Sequence, residues 1–322
     1  MKQPLVSVLV PIYNVEKYIR KCLDSLFKQN NINIEDIEYV FIDDCGNDKS
    51  INILNEYIEK FLSYGYNIKL IKNKSNCGLA ENRNIAIRNS TGHYVLHVDS
   101  DDYLDENAIF ELLKASDNCS VDIVISDVYF DYGNEKIICH NNVPNDKIDY
   151  LNLMLQRKTM FNIWGKLINR NLYLSNKIHA ISGINQGEDF SVYPRLVYFA
   201  KTIKLVGKPL YNYVQTNPNS YCKSIDKNSI KQILYAQNIN CNFFKNKIDD
   251  NILHASVLTT KIALLICSSK LDYEYINNQY DFIPILKTKI PLKHKVILIL
   301  MRYKLYSLVY FILKKCYTRH VK

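Results

Sequence analysis

The sequence predicts an α/β fold with a mostly parallel central sheet, flanking helices and a helical C-terminal extension. Apolar runs rich in β-branched and aromatic residues alternate with helical segments over the first 115 residues, a spacing typical of right-handed βαβ units. Polar or acidic residues directly follow four of these runs. They would meet at the carboxyl edge of the sheet, which is where open α/β folds bind ligands.

The first part of the chain alternates predicted strands and helices. Short runs bounded by turn residues predict buried strands at 6–12, 39–42, 67–71 and 94–98. Helical segments follow them at about 16–29, 48–62, 78–89 and 106–115. We expect Asp48 and Asp105 to cap the second and the fourth of these helices, because a carboxylate can accept hydrogen bonds from the first free backbone amides.

Beyond residue 115 the pattern is less regular. Further strands are predicted at 123–129, 203–206 and 210–213, and further helices at 149–156, at 187–200 and across 229–266. We find no internal repeat and no low-complexity linker between these segments.

Composition indicates a globular protein in a reducing compartment. The chain has 322 residues, of which 48% are apolar, enough for one large domain or two ordinary ones. Its nine cysteines form no Cys-x-x-Cys pair, and the first apolar run is too short for a secretory signal, so we expect reduced thiols in the cytoplasm. The glycine signatures of dinucleotide-binding and P-loop proteins are missing.

The positive charge is concentrated at the C-terminal end. The net charge is +9, and the ten Lys and Arg residues after Asp281, with no acidic residue among them, supply all of it. This distribution argues against a nucleic-acid-binding body. Two apolar runs, 296–301 and 305–313, are too short to span a membrane. They predict either an amphipathic helix on an anionic membrane or a helix packed on the protein with solvated lysines.

Three carboxylates, Asp99, Asp101 and Asp102, follow the fourth strand. Two explanations fit: they lie in water and cap the next helix, or they hold a divalent cation that cancels their mutual repulsion. Mg²⁺ and Mn²⁺ suit the second explanation, since these ions take one or two carboxylates together with phosphate oxygens.

Five signatures resemble, in order and spacing, those of family-two glycosyltransferases with the GT-A fold. The segments that carry the resemblance are 11–14 (PIYN), 42–48 (IDDCGND), 76–84 (NCGLAENRN), 98–102 (VDSDD) and 187–190 (GEDF). Segments 163–167 and 210–213 also resemble bacterial polysaccharide-building members, and the likeness covers roughly residues 4–220. The chain departs from the family pattern at Cys45, Asn82 and His97, but the carboxylates and Arg83 are in place.

The resemblance implies transfer of a sugar, with inversion, from a nucleotide diphosphate sugar to an acceptor hydroxyl. The expected donor is a UDP-sugar, and the expected acceptor is a glycan or lipid-linked glycan of a bacterial capsule, exopolysaccharide or lipopolysaccharide. The implied domains are a GT-A catalytic domain at 1–220, with a nucleotide-binding half at 1–102 and an acceptor half at 103–220, and a helical, basic extension at 221–322. The expected location is the cytoplasm, peripheral to the inner face of the plasma membrane.

The resemblance also assigns residues to the donor. The nucleotide-sugar is expected to contact Pro11, Tyr13, Asn14, Asp43, Asp44, Gly78, Arg83, Asp99 and Ser100. Asp43 or Asp44 would accept hydrogen bonds from the base or ribose, unless both only cap the following turn. Arg83 would reach the base, ribose or diphosphate, unless it is a surface arginine of its helix.

Metal binding and proton transfer are expected from other carboxylates. Asp99, Asp101 and Asp102 are the expected ligands of Mn²⁺ or Mg²⁺, although Asp102 could instead only support the loop. Asp189 is the expected catalytic base, with Glu188 as neighbour or substitute; the alternative is an acidic pair favoured by a helix N-terminus. Trp164 and Lys166 would line the acceptor side, unless the tryptophan is part of the core.

Two other classes of protein would fit some of these motifs. A metal-dependent phosphohydrolase would use the Asp-x-Asp pair as nucleophile and acid and release phosphate without an acceptor. A non-catalytic nucleotide-sugar-binding module would bind the donor without turnover, and it predicts a large separation between Asp189 and the metal-binding aspartates.

Overall fold

The chain divides into two compact units in a computed structural model that describes residues 2–218 and 225–317. Unit 1 comprises Met1–Val143 and Asn162–Pro218, and unit 2 comprises Pro144–Phe161 and Asn219–Lys322. The segment 144–161 therefore belongs to the second unit, although the chain on both sides of it belongs to the first. The expected domain boundary at residue 220 lies outside the described residues.

Unit 1 is built on one nine-stranded sheet. Its order is β3-β2-β1-β4-β8-β6-β9-β5, with β7 paired to β6. The strands are β1 Val6–Ile12, β2 Ile37–Asp43, β3 Asn67–Lys72, β4 Tyr94–His97, β5 Tyr103–Leu104, β6 Ile123–Asp131, β7 Lys136–Cys139, β8 Lys166–Asn169 and β9 Ile203–Val214. Strands β1 and β4 are wholly buried, which matches their continuous apolar sequence.

The sheet is parallel in one half only. Strands β3, β2, β1 and β4 are parallel neighbours, as the βαβ spacing predicted. Beyond them β4–β8, β8–β6, β6–β7 and β5–β9 pair antiparallel, and only β6–β9 is parallel. The prediction of a mostly parallel sheet was therefore correct for the first half and wrong for the second, whose short strands β5, β7 and β8 carry no clear period in the sequence.

Helices cover the sheet and make up unit 2. They are α1 Ile19–Phe27, α2 Ser50–Leu62, α3 Leu79–Asn89, α4 Ala108–Ala115, α5 Lys147–Leu155, α6 Arg170–Ser175, α7 Glu188–Phe199, α8 Lys227–Phe244, α9 Asp250–Cys267, α10 Tyr273–Asn277, α11 Leu292–Arg302 and α12 Tyr306–Tyr317, with short 3-10 helices at Ile34–Asp36 and Lys270–Asp272.

Several elements differ from their predicted bounds for local reasons. The two strands predicted at 203–206 and 210–213 are one strand, β9. The predicted break between them corresponds to a bulge, which Gly207 and Lys208 form opposite β6. The helix predicted at 106–115 begins at Ala108 with Asn107 as its N-cap, so the predicted cap at Asp105 was wrong; Asp105 instead accepts a hydrogen bond from the Asn107 amide. The helical stretch 229–266 is two helices, α8 and α9.

Unit 2 has its own apolar core. Side chains from α8 to α12 pack together in it, among them Ile230, Leu258, Ile262, Leu298 and Val309. Helix α9 is also long and apolar enough to cross a membrane, but 56% of it is buried inside the protein, as in a core helix.

Candidate active site

The acidic strand ends converge as predicted. Strands β2, β1 and β4 are adjacent in the sheet, with Ile12 in register with Asp43 and Leu9 in register with His97. Asp43 ends β2, and Tyr13 and Asp99 follow β1 and β4, so the three residues lie at the same edge of three neighbouring parallel strands.

The two aspartates after β2 have different surroundings. Asp44 is buried, and its oxygens accept hydrogen bonds from the Cys77 amide at 2.7 Å, the Gly78 amide at 3.0 Å and the Asn73 side chain at 2.9 Å. Asp43 is partly exposed, and only one of its oxygens accepts a hydrogen bond in the described residues, from the Cys45 amide. Asp44 thus fixes the 76–78 turn, and Asp43 is the carboxylate with an oxygen left for a ligand.

The segment after β1 presents a tyrosine ring. Tyr13 is 43% exposed, whereas Pro11 is buried within β1. Asn14 has a positive φ of 51°, and its side-chain oxygen accepts a hydrogen bond from the Asn47 amide at 2.8 Å. A side chain at Gly46 would lie 2.9 Å from that oxygen, so glycine is needed there. Asn14 ties two loops together, and Tyr13 is the residue that faces outward.

The turn at Gly78 is packed against a residue that the sequence did not single out. Gly78 has a φ of +79°, and any side chain there would overlap the amide of Asn185. Asn185 in turn accepts a hydrogen bond from the Ala80 amide at 3.0 Å. Its position two residues before Gly187 was the only signal in the sequence. The contact joins the start of α3 to the loop that leads into α7.

Arg83 lies at the centre of the site rather than on the surface. It is 2% exposed, and its Nη1 donates to Glu188 Oε1 at 2.6 Å and also to Asp189. Its Nη2 donates to Asp99 Oδ1 at 2.8 Å. The surface alternative was therefore wrong. One guanidinium joins the loop after β4 to both acidic residues at the start of α7.

Burial sets the charge of the carboxyl pair. Burial first, and then the charge of Asp189, raise the pKa of Glu188 to about 8. Burial also raises the pKa of Asp189; Arg83 opposes this rise and Asp99 adds to it. Burial therefore favours the protonated form of Glu188 near pH 7, whereas the guanidinium of Arg83 favours the ionised form of Asp189.

The three carboxylates after β4 do not share one role. Asp102 is buried, and its two oxygens accept hydrogen bonds from the Tyr211 hydroxyl at 2.8 Å and the Val214 amide at 2.7 Å. The Tyr211 hydroxyl also accepts a hydrogen bond from the Asp99 amide. Ser100, which lies between Asp99 and Asp102 in the sequence, is buried. These contacts are those expected of a residue that supports the loop, which was the alternative to a metal-binding role for Asp102.

Asp99 and Asp101 fit a divalent cation as a two-carboxylate site. Each has an oxygen that accepts no hydrogen bond in the described residues; Asp101 uses the other for the Asn217 side chain at 2.8 Å. Burial, and then the charge of Asp99, raise the pKa of Asp101, a repulsion that a cation would relieve. Residues 2–218 and 225–317 hold no group of three or more His, Cys, Asp or Glu placed to bind a metal. Phosphate oxygens and water would complete the shell.

Trp164 and Lys166 are both buried. Trp164 stacks on Tyr211 with ring centroids 4.5 Å apart, which is the core role left open above. Lys166 is 1% exposed; its Nζ donates to the Asn162 carbonyl at 2.7 Å and lies 5.1 Å from the centre of the Tyr193 ring. Burial lowers the pKa of Lys166 to about 7, although the nearby negative charge of Asp189 acts to raise it.

Replacing Lys166 by methionine is expected to stabilise the protein more at pH 6.5 than at pH 9.5. The unfolded chain keeps the lysine proton up to its ordinary pKa of 10.5, whereas the folded chain releases it near 7. The wild type therefore gains stability as pH rises between these values, and K166M does not. We expect K166M to be about 1–3 kcal/mol more stable than the wild type at pH 6.5. Urea unfolding at both pH values measures this, with exposed Lys204→Met as control; an equal difference at both would contradict it.

A cavity of about 630 Å³ opens beside Asp101. Its walls include Tyr18 and Lys21 of the α1 region, Tyr103 of β5, and Lys136 of β7. The Lys21 ammonium lies 3.7 Å from the centre of the Tyr103 ring. Aromatic faces, cations and three carboxylates in one cavity suit a polar ligand with apolar faces, such as a sugar.

Comparisons with known proteins agree with this geometry. A family model described as Glycosyl transferase family 2 matches residues 7–178. The uncharacterized glycosyltransferase EpsJ of Bacillus subtilis is 27% identical over 71% of this chain and 67% of its own length. A poly(ribitol-phosphate) β-glucosyltransferase of Bacillus spizizenii is 33% identical over 57% of this chain, but the match spans only 28% of that relative.

The fold itself has a solved counterpart. A crystal structure of Staphylococcus aureus TarS 1–349 in complex with UDP-GlcNAc matches with a TM-score of 0.75 at 21% identity, over 98% of this chain and 91% of that one. This likeness confirms the GT-A architecture. Because the family model covers more than half of the chain, the protein belongs to glycosyl transferase family 2.

Proposed function

We propose that this protein transfers a sugar, with inversion, from a UDP-sugar to an acceptor hydroxyl during synthesis of a bacterial surface glycan. The observation that carries the proposal is the bridge made by Arg83. It binds Asp189 at the start of α7 and Asp99 in the loop after β4 with the same guanidinium. The expected base and the expected donor-binding loop therefore belong to one site.

Each group has a defined part in the proposed reaction. Tyr13 and Asp43 hold the nucleotide, and Asp99 and Asp101 hold a Mg²⁺ or Mn²⁺ ion together with the diphosphate. When bound, the ion supplies Lewis-acid stabilisation of the negative charge on the departing nucleotide. Asp189 accepts the proton of the acceptor hydroxyl as that oxygen attacks the anomeric carbon from the opposite face. Arg83 holds the Asp189 carboxylate in place and favours its ionised form.

The choice of donor and product rests on the relatives. TarS is crystallised with UDP-GlcNAc, and the Bacillus spizizenii relative is named for glucosylation of poly(ribitol-phosphate). The ligand of TarS is a nucleotide-activated sugar, and the name of the second relative gives a ribitol-phosphate polymer as the acceptor. We propose the cavity beside Asp101 as the place of the acceptor glycan, and the cytoplasmic face of the plasma membrane as the location, where a lipid-linked acceptor is presented.

The rival classes have less support. A binding module without turnover predicted a base far from the metal-binding loop, but one arginine side chain separates Asp189 from Asp99. A phosphohydrolase leaves the paired carboxyls at α7 without a task.

A thermal-shift experiment tests the donor site. We expect UDP with Mn²⁺ to raise the melting temperature by several degrees, since a ligand at 100 times its Kd adds about 2.7 kcal/mol to the stability of the folded state. Asp101→Asn should remove the Mn²⁺-dependent part of the shift, and Asp43→Asn should weaken UDP binding with or without the ion. Asp105→Asn, in the next turn of the chain, is the control. No shift with any nucleotide would contradict the proposal.

A further inference from the structure

Exposed apolar side chains are concentrated near the end of unit 2. Of 22 exposed large apolar residues in the described part of the chain, ten lie between Leu271 and Phe311. Exposed apolar residues scattered one by one are ordinary on a protein surface, but a contiguous group indicates an interaction site. Seven of these ten residues lie on α11, on α12 or in the turn between them.

Helix α11 is apolar on two opposite faces. Ile297, Leu298 and Met301 face the core of unit 2 and are buried. Leu292, which is 76% exposed, and the exposed Val296 recur four residues apart, and Tyr303 follows at the end of the helix, eleven residues after Leu292. At 100° per residue these three positions lie within about 40° of one another. They form a stripe that points away from the core.

Helix α12 repeats this arrangement. Val309 and Leu313 are buried in the same core, whereas Leu308 and Phe311, the latter 65% exposed, point outward. We call Leu292, Val296, Tyr303, Leu308 and Phe311 the outward apolar face. A helix that needed only to pack on its own unit would carry polar residues at these positions.

Basic residues border the outward apolar face. Residues 282–317 contain eight Lys and Arg and no Asp or Glu. On the helical wheel Lys293 lies on one side of the α11 stripe, and Lys295 and Arg302 lie on the other. The last two donate to backbone carbonyls, Lys295 to Leu286 and Arg302 to Asp281, which holds their charges at the edge of the face.

The outward apolar face and the cations that border it together indicate the chemistry of the partner. An apolar stripe with a lysine on one side and two cations on the other fits a surface that is apolar below and anionic at its edge, as an anionic lipid bilayer is. A second copy of this chain would bring the same positive charge to the contact and be repelled. We propose that the outward apolar face docks on anionic lipid, with α11 and α12 lying in the plane of the headgroups. The inference rests on the proposed membrane location of the enzyme, but it needs no glycosyl transfer.

Vesicle co-sedimentation of the full chain tests this surface. We expect binding to vesicles of phosphatidylglycerol and phosphatidylethanolamine, much weaker binding to phosphatidylcholine, and release by salt. Leu292→Ser with Phe311→Ser should lower the partition coefficient at least about tenfold, because two exposed apolar side chains leave the bilayer. Lys293→Gln should lower it about fivefold, the effect of one cation near an anionic surface.

Matched controls separate this result from misfolding and from failure of the proposed function. Leu62→Ser with Leu174→Ser removes two exposed apolar side chains of unit 1 and should leave partitioning unchanged. The UDP-dependent thermal shift should be the same in all these variants. Equal binding to neutral and anionic vesicles, or a dimer in sedimentation that the Leu292/Phe311 variant abolishes, would overturn the proposal.

Discussion

Replacing Asp189 by asparagine is expected to slow sugar transfer by about 10²- to 10⁴-fold, the usual contribution of a general base. Asparagine keeps the shape of the side chain and can still contact Arg83, but it cannot accept the proton of the acceptor hydroxyl. Donor binding should survive, because Tyr13 and Asp43, which we propose to hold the nucleotide, lie at the ends of β1 and β2 and not in α7. Initial rates of UDP release with saturating donor and acceptor would measure the loss.

Glu188→Gln is the matched control for this experiment. The two residues are neighbours at the start of α7, and both accept a hydrogen bond from Arg83. Since burial favours the protonated form of Glu188 near pH 7, a neutral glutamine should cost much less activity than D189N. If Glu188→Gln abolished transfer and D189N did not, the base would be Glu188, which the sequence left as a substitute.

The second large effect is expected at Arg83. Replacing it by methionine leaves Asp99, Glu188 and Asp189 without their shared cation, and removing one partner of a buried ion pair typically costs about 3–5 kcal/mol. We expect R83M to unfold at a correspondingly lower urea concentration and to lose transfer activity. The loss of stability should shrink as pH falls, because protonation of the carboxyls removes their uncompensated charge.

Arg88→Met provides the comparison within the same helix. Arg88 also pairs with a carboxylate, Glu81 at 2.7 Å, but its side chain is exposed, and exposed pairs contribute about 0–1 kcal/mol. If R83M were no less stable than R88M, the three carboxylates would not depend on Arg83, and the bridge that carries the proposed function would have no energetic basis.

The sequence was most informative where local pattern and tertiary structure agree. Strands β1 and β4 are continuous apolar runs and β2 has an apolar centre at 39–42, so their positions to within two residues and their shared carboxyl edge followed from residue type alone. The polar residues after them then had to be neighbours. The start of α7 at Glu188 was also predicted, because glycine followed by two acidic residues suits a helix N-terminus.

Other features depend on contacts between distant segments. Asp43 and Asp44 are adjacent in sequence, and only the fold shows that the 76–78 turn uses Asp44 and leaves Asp43 available. The same holds for Asp102, whose partners Tyr211 and Val214 lie more than 100 residues away. Arg83 is central because the start of α7 lies beside this residue of α3. No periodic pattern in the sequence of either helix indicates that contact.

The division of the chain has a practical consequence for biochemistry. The polypeptide passes between the two units three times, so a stop codon after Pro218 would not yield a self-sufficient enzyme core. Helix α5 would remain in the shortened product without α9, against which it packs. A minimal enzyme therefore calls for excising 144–161 and splicing its flanks as well as trimming the end.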